Sequence, residues 1–177
     1  MDRTNREGHP VNFHPRLFQL GIVFGLGLFL GGCATTRQPA FAPVVARFFL
    51  EADLSEPGRA VMLPQSGVAI HVAPKPVLME FDLLDAQIAE VSLGRCLAFQ
   101  LTLAAGRDLF RLSGTSQGSR LVLTLNDEVV GARRIDQPID NGQLLVFVEM
   151  DDAKLPALVE SLQRTIVETQ RQLARKR

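Results

Sequence analysis

An uncharged run from Leu17 to Leu30, closed by Gly31-Gly32-Cys33, decides where folding of this chain can begin. The run is 14 residues long. As a helix it would reach about 21 Å, short of a hydrocarbon core of roughly 30 Å. Arg3, Arg6 and Arg16 precede it, and Gly25, Gly27, Gly31 and Gly32 loosen its end. Positive charge, a short apolar segment and small residues before a cut site are the layout of a secretory signal peptide. Residues 1–32 are then expected to be removed, with Leu30-Gly31-Gly32 as the signal-peptidase motif and Cys33 as the new first residue. The uncharged interval between Arg16 and Arg37 extends to 20 residues, a length at which an uncleaved anchor would also span. Five glycines between Gly21 and Gly32, and the polar Gln19, Thr35 and Thr36, disfavour that alternative.

A cysteine at this place predicts a bacterial lipoprotein acylated at Cys33. One acyl chain binds a bilayer only marginally, whereas two or more hold stably, at about 0.8 kcal/mol per buried CH₂. Bacterial lipoproteins carry a diacylglyceryl group, with palmitate among the acyl chains, and often a third chain. The predicted location is the cell envelope, membrane-anchored and facing the periplasm. Ala34 is not the aspartate that marks inner-membrane retention in some Gram-negative bacteria, which favours the outer membrane. Residues 33–43 are expected to form a tether after the lipid. Residues 44–177 suffice for a single domain with its own core.

Charge and residue types narrow the function classes. After Gly32 the chain has 16 basic and 17 acidic residues, so no basic field exists to hold nucleic acid. Trp and Tyr are absent, and Phe supplies all the aromatic surface. With Cys33 acylated, Cys96 has no disulfide partner, and in the apolar run Cys96-Leu97-Ala98-Phe99 it reads as a small buried thiol. The one histidine after the leader, His71, sits in the strand pattern Val68-Ala69-Ile70-His71-Val72. Carboxylates cluster at Glu80-Asp82-Asp85 and at Glu149-Asp151-Asp152. Their positions at a strand end and a helix start are ordinary places for exposed acids. Ser113-Gly114-Thr115 has no base in sequence except His71. No phosphate-binding glycine loop, metal-spaced His/Cys set or nucleophile elbow occurs. No catalytic, cofactor or metal residues are assigned, and a non-enzymatic role is expected, with carboxylate-based catalysis or metal binding as the lesser alternative.

Periodicity predicts the α+β class: a mostly antiparallel sheet with a short helix and a long C-terminal helix packed on one face. Residues 46–52 and 67–72 read as strands flanking a loop punctuated by Pro57, Gly58 and Pro64. Residues 77–83 and 87–93 read as extended, with a helical turn over Asp85-Ala86-Gln87-Ile88 as the alternative. Residues 97–103 read as a strand leading into a helix over 104–112, with Ala105, Leu109 and Leu112 on one face and Ser113-Gly114 ending it. Residues 120–125 and 129–135 form a predicted hairpin about Asn126-Asp127, and residues 143–150 follow as a strand after Asn141-Gly142. A helix opening at Asp151-Asp152 is, from Ala153 to Arg175, roughly 34 Å long. Its apolar stripe is Leu155, Val159, Leu162, Ile166 and Leu173, with Thr169 in the gap. Its basic end, Arg171, Arg175, Lys176 and Arg177, is expected to protrude. The stripe is long enough to pair with a second copy, so a structural, homo-oligomerising lipoprotein is the other function class.

The stretch AAGRDLFRLSGTSQGSRLVLTLNDEVVGARRIDQPIDNGQLLVFVE carries a resemblance. A helix ending in Leu112-Ser113, Gly118, the strand Leu121 to Leu125, Val129-Val130, Ile135, Ile139 and Gly142 are similar to the head of the first periplasmic domain of SecD, the Sec-translocon accessory subunit. The resemblance spans about 97–162. It departs at Asn126-Asp127, where the family has Asp-Gly, and at Ala132-Arg133, where it has Ala-Pro. It implies a head-like module of the kind thought to touch exported polypeptide. No hydrophobic run after Cys33 is long enough to supply the membrane-embedded motor of that family. The expected partners are the membrane, through the lipid, and a protein or unfolded polypeptide.

Overall fold

The computed structural model describes residues 42–176, so Leu30, Gly31, Gly32 and Cys33 lie outside the described residues. In chain order the elements are β1 (Ala46–Leu50), β2 (Arg59–Met62), β3 (Ala69–Val72), a 3₁₀ turn (Glu80–Asp82), β4 (Leu83–Val91) and β5 (Gly94–Leu101). They continue with α1 (Leu103–Thr115), β6 (Arg120–Leu125), β7 (Glu128–Arg134), β8 (Gln143–Val148), a second 3₁₀ turn (Asp152–Lys154) and α2 (Leu155–Arg175). Six strands make one antiparallel sheet in the order β1-β6-β7-β8-β5-β4, and β2 and β3 pair with each other. This is the expected α+β architecture.

The sheet is covered on both sides, unequally. On one face Leu121, Leu123 and Leu125 of β6 join Phe48, Leu97, Phe99, Leu144 and Val146 beneath α1 and α2. Phe48 and Phe99 meet edge to face, with ring centroids 5.2 Å apart. Alternate residues of β1 and β6 point the other way, and there Phe49 and Val122 pack against Leu63, Ile70 and Val72 of the β2–β3 region. Burial on both faces explains why β6 reads as a nearly unbroken apolar run rather than an alternating one. The loop expected between residues 52 and 67 contains β2. Its residues are mostly exposed, so it carries no periodic signal. It is a strand because β3 pairs with it, from Arg59 opposite Val72 to Met62 opposite Ala69.

Further expectations are corrected. Residues 77–83 are not a strand. Leu78 makes one bridge to Phe48, and the chain then turns through the 3₁₀ segment, where Asp82 accepts from the Met79 N–H at 2.9 Å. β4 starts at Leu83, with an irregularity between Leu83 and Asp85, so residues 85–88 are extended rather than helical. α1 runs past Ser113-Gly114 to Thr115, because the Ser113 side chain bonds within the helix instead of ending it. Asp151 caps the second 3₁₀ turn rather than α2, which begins at Leu155 with Pro156 in its first turn. Its buried stripe is Leu155, Val159, Leu162, Thr165 and Ile166, while Leu173 emerges into solvent.

Two positions depend on backbone geometry. Asn126 and Asp127 both have positive φ, 50° and 68°, which matches a two-residue hairpin between β6 and β7. Gly131 lies where β7 meets β8. A β-carbon built there would stand 2.1 Å from the Phe147 carbonyl oxygen, so only glycine lets the strands approach. The edge strand β4 is blocked rather than open over its first half. Gln163 of α2 donates to the Ala86 carbonyl at 2.9 Å, and Gln170 donates to those of Phe81 and Leu83 at 3.0 and 2.9 Å. Such capping denies an incoming strand those acceptors.

Candidate binding groove

α1 has apolar residues on two faces. Ala105 and Leu109 are buried against the sheet, with Leu112 half-buried. Leu103 and Phe110 occupy the opposite face, 79% and 48% exposed. Thr102 fixes the start of the helix: its hydroxyl accepts from the Ala105 N–H at 3.2 Å, and its own N–H donates to the Asp82 carbonyl at 2.8 Å. The far wall is the turn at Asp140-Asn141-Gly142. It is held by the Leu101 N–H, which donates to the Gly142 carbonyl at 2.9 Å, and by the Gln100 amide, which donates to the same oxygen at 3.2 Å. Between them lies a groove of about 550 Å³, lined by Leu84, Leu103, Gly106 and Phe110, with Gln100, Arg107, Asp140 and Asn141 as its polar lining. A β-carbon on Gly106 would come into contact with the Gly142 α-carbon, at 3.4 Å.

Ser113 supports this wall from behind. Its side chain is fully buried. Its hydroxyl donates to the Phe110 carbonyl at 3.1 Å and accepts from the Ile139 N–H at 2.8 Å. Gly118, Ile135, Ile139 and Gly142 all hold structural places. Gly118 and Gly142 have positive φ and the two isoleucines are buried. The residues that carry the SecD resemblance therefore specify the frame of the groove, while Leu84, Leu103 and Phe110 form its apolar lining. Sequence reading passed over those three. The signal available was a Leu and a Phe seven residues apart on the face of α1 opposite its buried stripe.

The residues weighed for chemistry do not converge. Glu80 pairs with Arg47 at 3.3 Å, Asp82 caps the first 3₁₀ turn, and Asp85 accepts from Gln87 at 2.7 Å and Gln163 at 3.2 Å. Partial burial raises the Asp82 pKa above the ordinary aspartate value. Glu149 accepts from the Gln65 and Ser66 N–H groups at 2.7 and 2.9 Å, and the Ser66 bonds hold its carboxyl below the usual range. No group of three His, Cys, Asp or Glu suited to a metal ion occurs among the described residues. His71 Nε2 lies 3.1 Å from the Glu56 carbonyl oxygen, on β3. Cys96 is buried in β5, and desolvation raises its thiol pKa.

A second cleft, of about 750 Å³, is polar and centres on a two-pronged ion pair. Arg120 donates to Glu51 through Nη2 at 2.6 Å, Nε at 2.9 Å and its backbone N–H at 2.9 Å. The arginine lowers the Glu51 pKa, and the two groups satisfy each other, tying the end of β1 to the start of β6.

No protein-family model matches the chain. No curated protein sequence matches it at a significant level. Its fold is similar to that of a crystal structure of SecDF in a super-membrane-facing form, at 18% identity and a TM-score of 0.53, over 68% of this chain and 18% of that one. It is likewise similar to a structure of SecDF described as a membrane component that enhances protein export, at 17% identity and a TM-score of 0.52, over 68% of this chain and 62% of that one. The chain matches less than two-thirds of either SecDF chain. At these identities the likeness is one of fold, and the fold is SecD-like. Among the described residues no helix is long and apolar enough to cross a membrane.

Proposed function

We propose that this chain is a lipid-anchored envelope protein, acylated at Cys33, whose SecD-like module binds unfolded or exported polypeptide without catalysing a reaction. The observation that carries the proposal is the apolar groove over α1. Leu103 and Phe110 stand exposed on a helix whose opposite face is already fully used, and Leu84 completes the lining from β4. An open groove lined by large apolar side chains, with Gln100, Asn141, Arg107 and Asp140 as its polar groups, suits an extended, mainly apolar segment better than a small polar substrate. The acidic clusters support a non-enzymatic role, because most of their carboxylates are engaged as caps and ion-pair partners. The likeness to SecDF, a component that enhances protein export, supports a polypeptide as the ligand class.

The test is titration of the full chain with a fluorescent, permanently unfolded reporter polypeptide rich in apolar residues, read by anisotropy. Burying two large apolar side chains contributes about 1.5–3 kcal/mol each, so Leu103→Asp with Phe110→Asp should weaken binding at least roughly tenfold. Both positions are exposed, so the unfolding midpoint should stay put. No binding by the parent chain, or equal binding by the double variant, overturns the proposal.

A further inference from the structure

Two hydrogen bonds mark the point at which the N-terminal segment joins the domain, one of them from the Val45 N–H to Asn126 Oδ1 at 2.8 Å. The Val44 N–H donates to Thr165 Oγ1 of α2 at 2.9 Å. Along the helix axis Arg171 lies about 9 Å beyond that point and Lys176 about 16 Å. Between Cys33 and Val44 there are ten residues, and the eleven steps from one to the other span at most about 40 Å. Acylation at Cys33 would thus confine Val44 to within about 40 Å of the bilayer.

That end has one sign of charge. From Thr169 to Lys176 the charged residues are Arg171, Arg175 and Lys176, all exposed, with no acid among them. Among the described residues none of the three makes an ion pair. The nearest acid on the helix is Glu168, one turn before Arg171. Arg164 pairs with Glu160, Glu168 accepts from Gln172 at 3.1 Å, Glu80 pairs with Arg47, and Asp82 caps its own turn. Val167 and Leu173 are exposed beside the basic groups. A helix dipole accounts for a cation in the last turn. It does not account for two turns without an acid beside exposed apolar side chains, a combination suited to the membrane interface.

We infer that the last two turns of α2 dock on anionic phospholipid headgroups of the membrane that carries the anchor, fixing the orientation of the domain. The inference rests on the acylation of Cys33 proposed above. Electrostatic attraction to a charged surface decays over about 8–10 Å at physiological salt, so it acts only on a chain already held nearby. The link to the lipid confines the domain to a thin layer over the bilayer, in which the basic end meets the surface repeatedly.

The experiment uses the full chain purified from bacterial membranes and placed in nanodiscs with or without phosphatidylglycerol. A fluorophore on Ala174→Cys reports contact with nitroxide-labelled headgroups. Quenching is expected in the anionic discs, relieved by 0.5 M salt, a concentration at which the screening length is down to roughly 4 Å. Arg171→Gln, Arg175→Gln and Lys176→Gln together should abolish it, since about 1 kcal/mol per basic side chain amounts to a roughly 100-fold weaker contact. Equal accessibility of the label in neutral and anionic discs, as a second copy or an acidic protein partner would give, overturns the docking. Intact mass separates the two claims. An acylated chain without quenching removes the docking alone, and a chain with an unmodified Cys33 removes both.

Discussion

Gly131→Ala puts a methyl group where the two halves of the sheet are joined. β1, β6 and β7 form one half and β8, β5 and β4 the other. Their joint consists of the pairs Gly131↔Val148 and Ala132↔Phe147, with the Glu149 N–H donating to the Val130 carbonyl at 2.7 Å. The new carbon would stand 2.1 Å from the Phe147 oxygen and 2.9 Å from the Val148 α-carbon, both backbone atoms that cannot rotate away. Carbon atoms settle at about 3.5–4.0 Å from their neighbours, so the strands must part by roughly 1 Å or more. Opening the joint at about 1 kcal/mol per backbone hydrogen bond costs roughly 2–4 kcal/mol. For a domain of this size the melting temperature should fall by about 6–15 °C. Urea unfolding followed by circular dichroism measures the change directly. Gly114→Ala is the matched control. It lies in α1 with nothing near its missing β-carbon, and should stabilise by up to about 0.5–1 kcal/mol. If Gly131→Ala were as stable as the parent to within about 0.5 kcal/mol, the approach of β7 to β8 described here would be refuted.

Two other perturbations have defined outcomes. Ser113→Ala leaves the buried Ile139 N–H without its acceptor and should cost about 1–3 kcal/mol in urea unfolding. Faster amide exchange at Ile139 and in the Asp140-Asn141-Gly142 wall should accompany the loss, while slow exchange there equal to the parent would count against the bond. Glu51 has a lowered folded-state pKa because Arg120 bonds its carboxylate. Its contribution is complete above the unfolded-chain value, about 4.3 for glutamate, and is lost as pH falls through the lower folded-state value. Glu51→Gln should therefore flatten the loss of stability below about pH 4.3, and an unchanged acid limb would dismiss the pair as a source of it.

What the sequence determined by itself is the part governed by near neighbours. Asn126-Asp127 sets the β6–β7 hairpin because both residues tolerate positive φ. The spacing of Leu155, Val159, Leu162 and Ile166 sets the face that α2 buries. The small and apolar positions from Ala104 to Glu149 were enough to place the fold near SecD, because Gly118, Ile135, Ile139 and Gly142 hold the turns and the core of the frame. Features made by residues far apart in the chain depend instead on how the chain folds back on itself. β2 exists through its pairing with β3, not through a pattern of its own. Leu84 lines one groove with Leu103 and Phe110 because β4 pairs with β5, whose end leads into α1. Gln163 and Gln170 close the β4 edge from more than seventy residues away. Glu51 and Arg120 find each other across 69 positions. Periodicity and turn chemistry report each residue's immediate surroundings, and distant contacts leave no period to read. The frame was therefore visible in one dimension, and the groove it encloses became visible only in three.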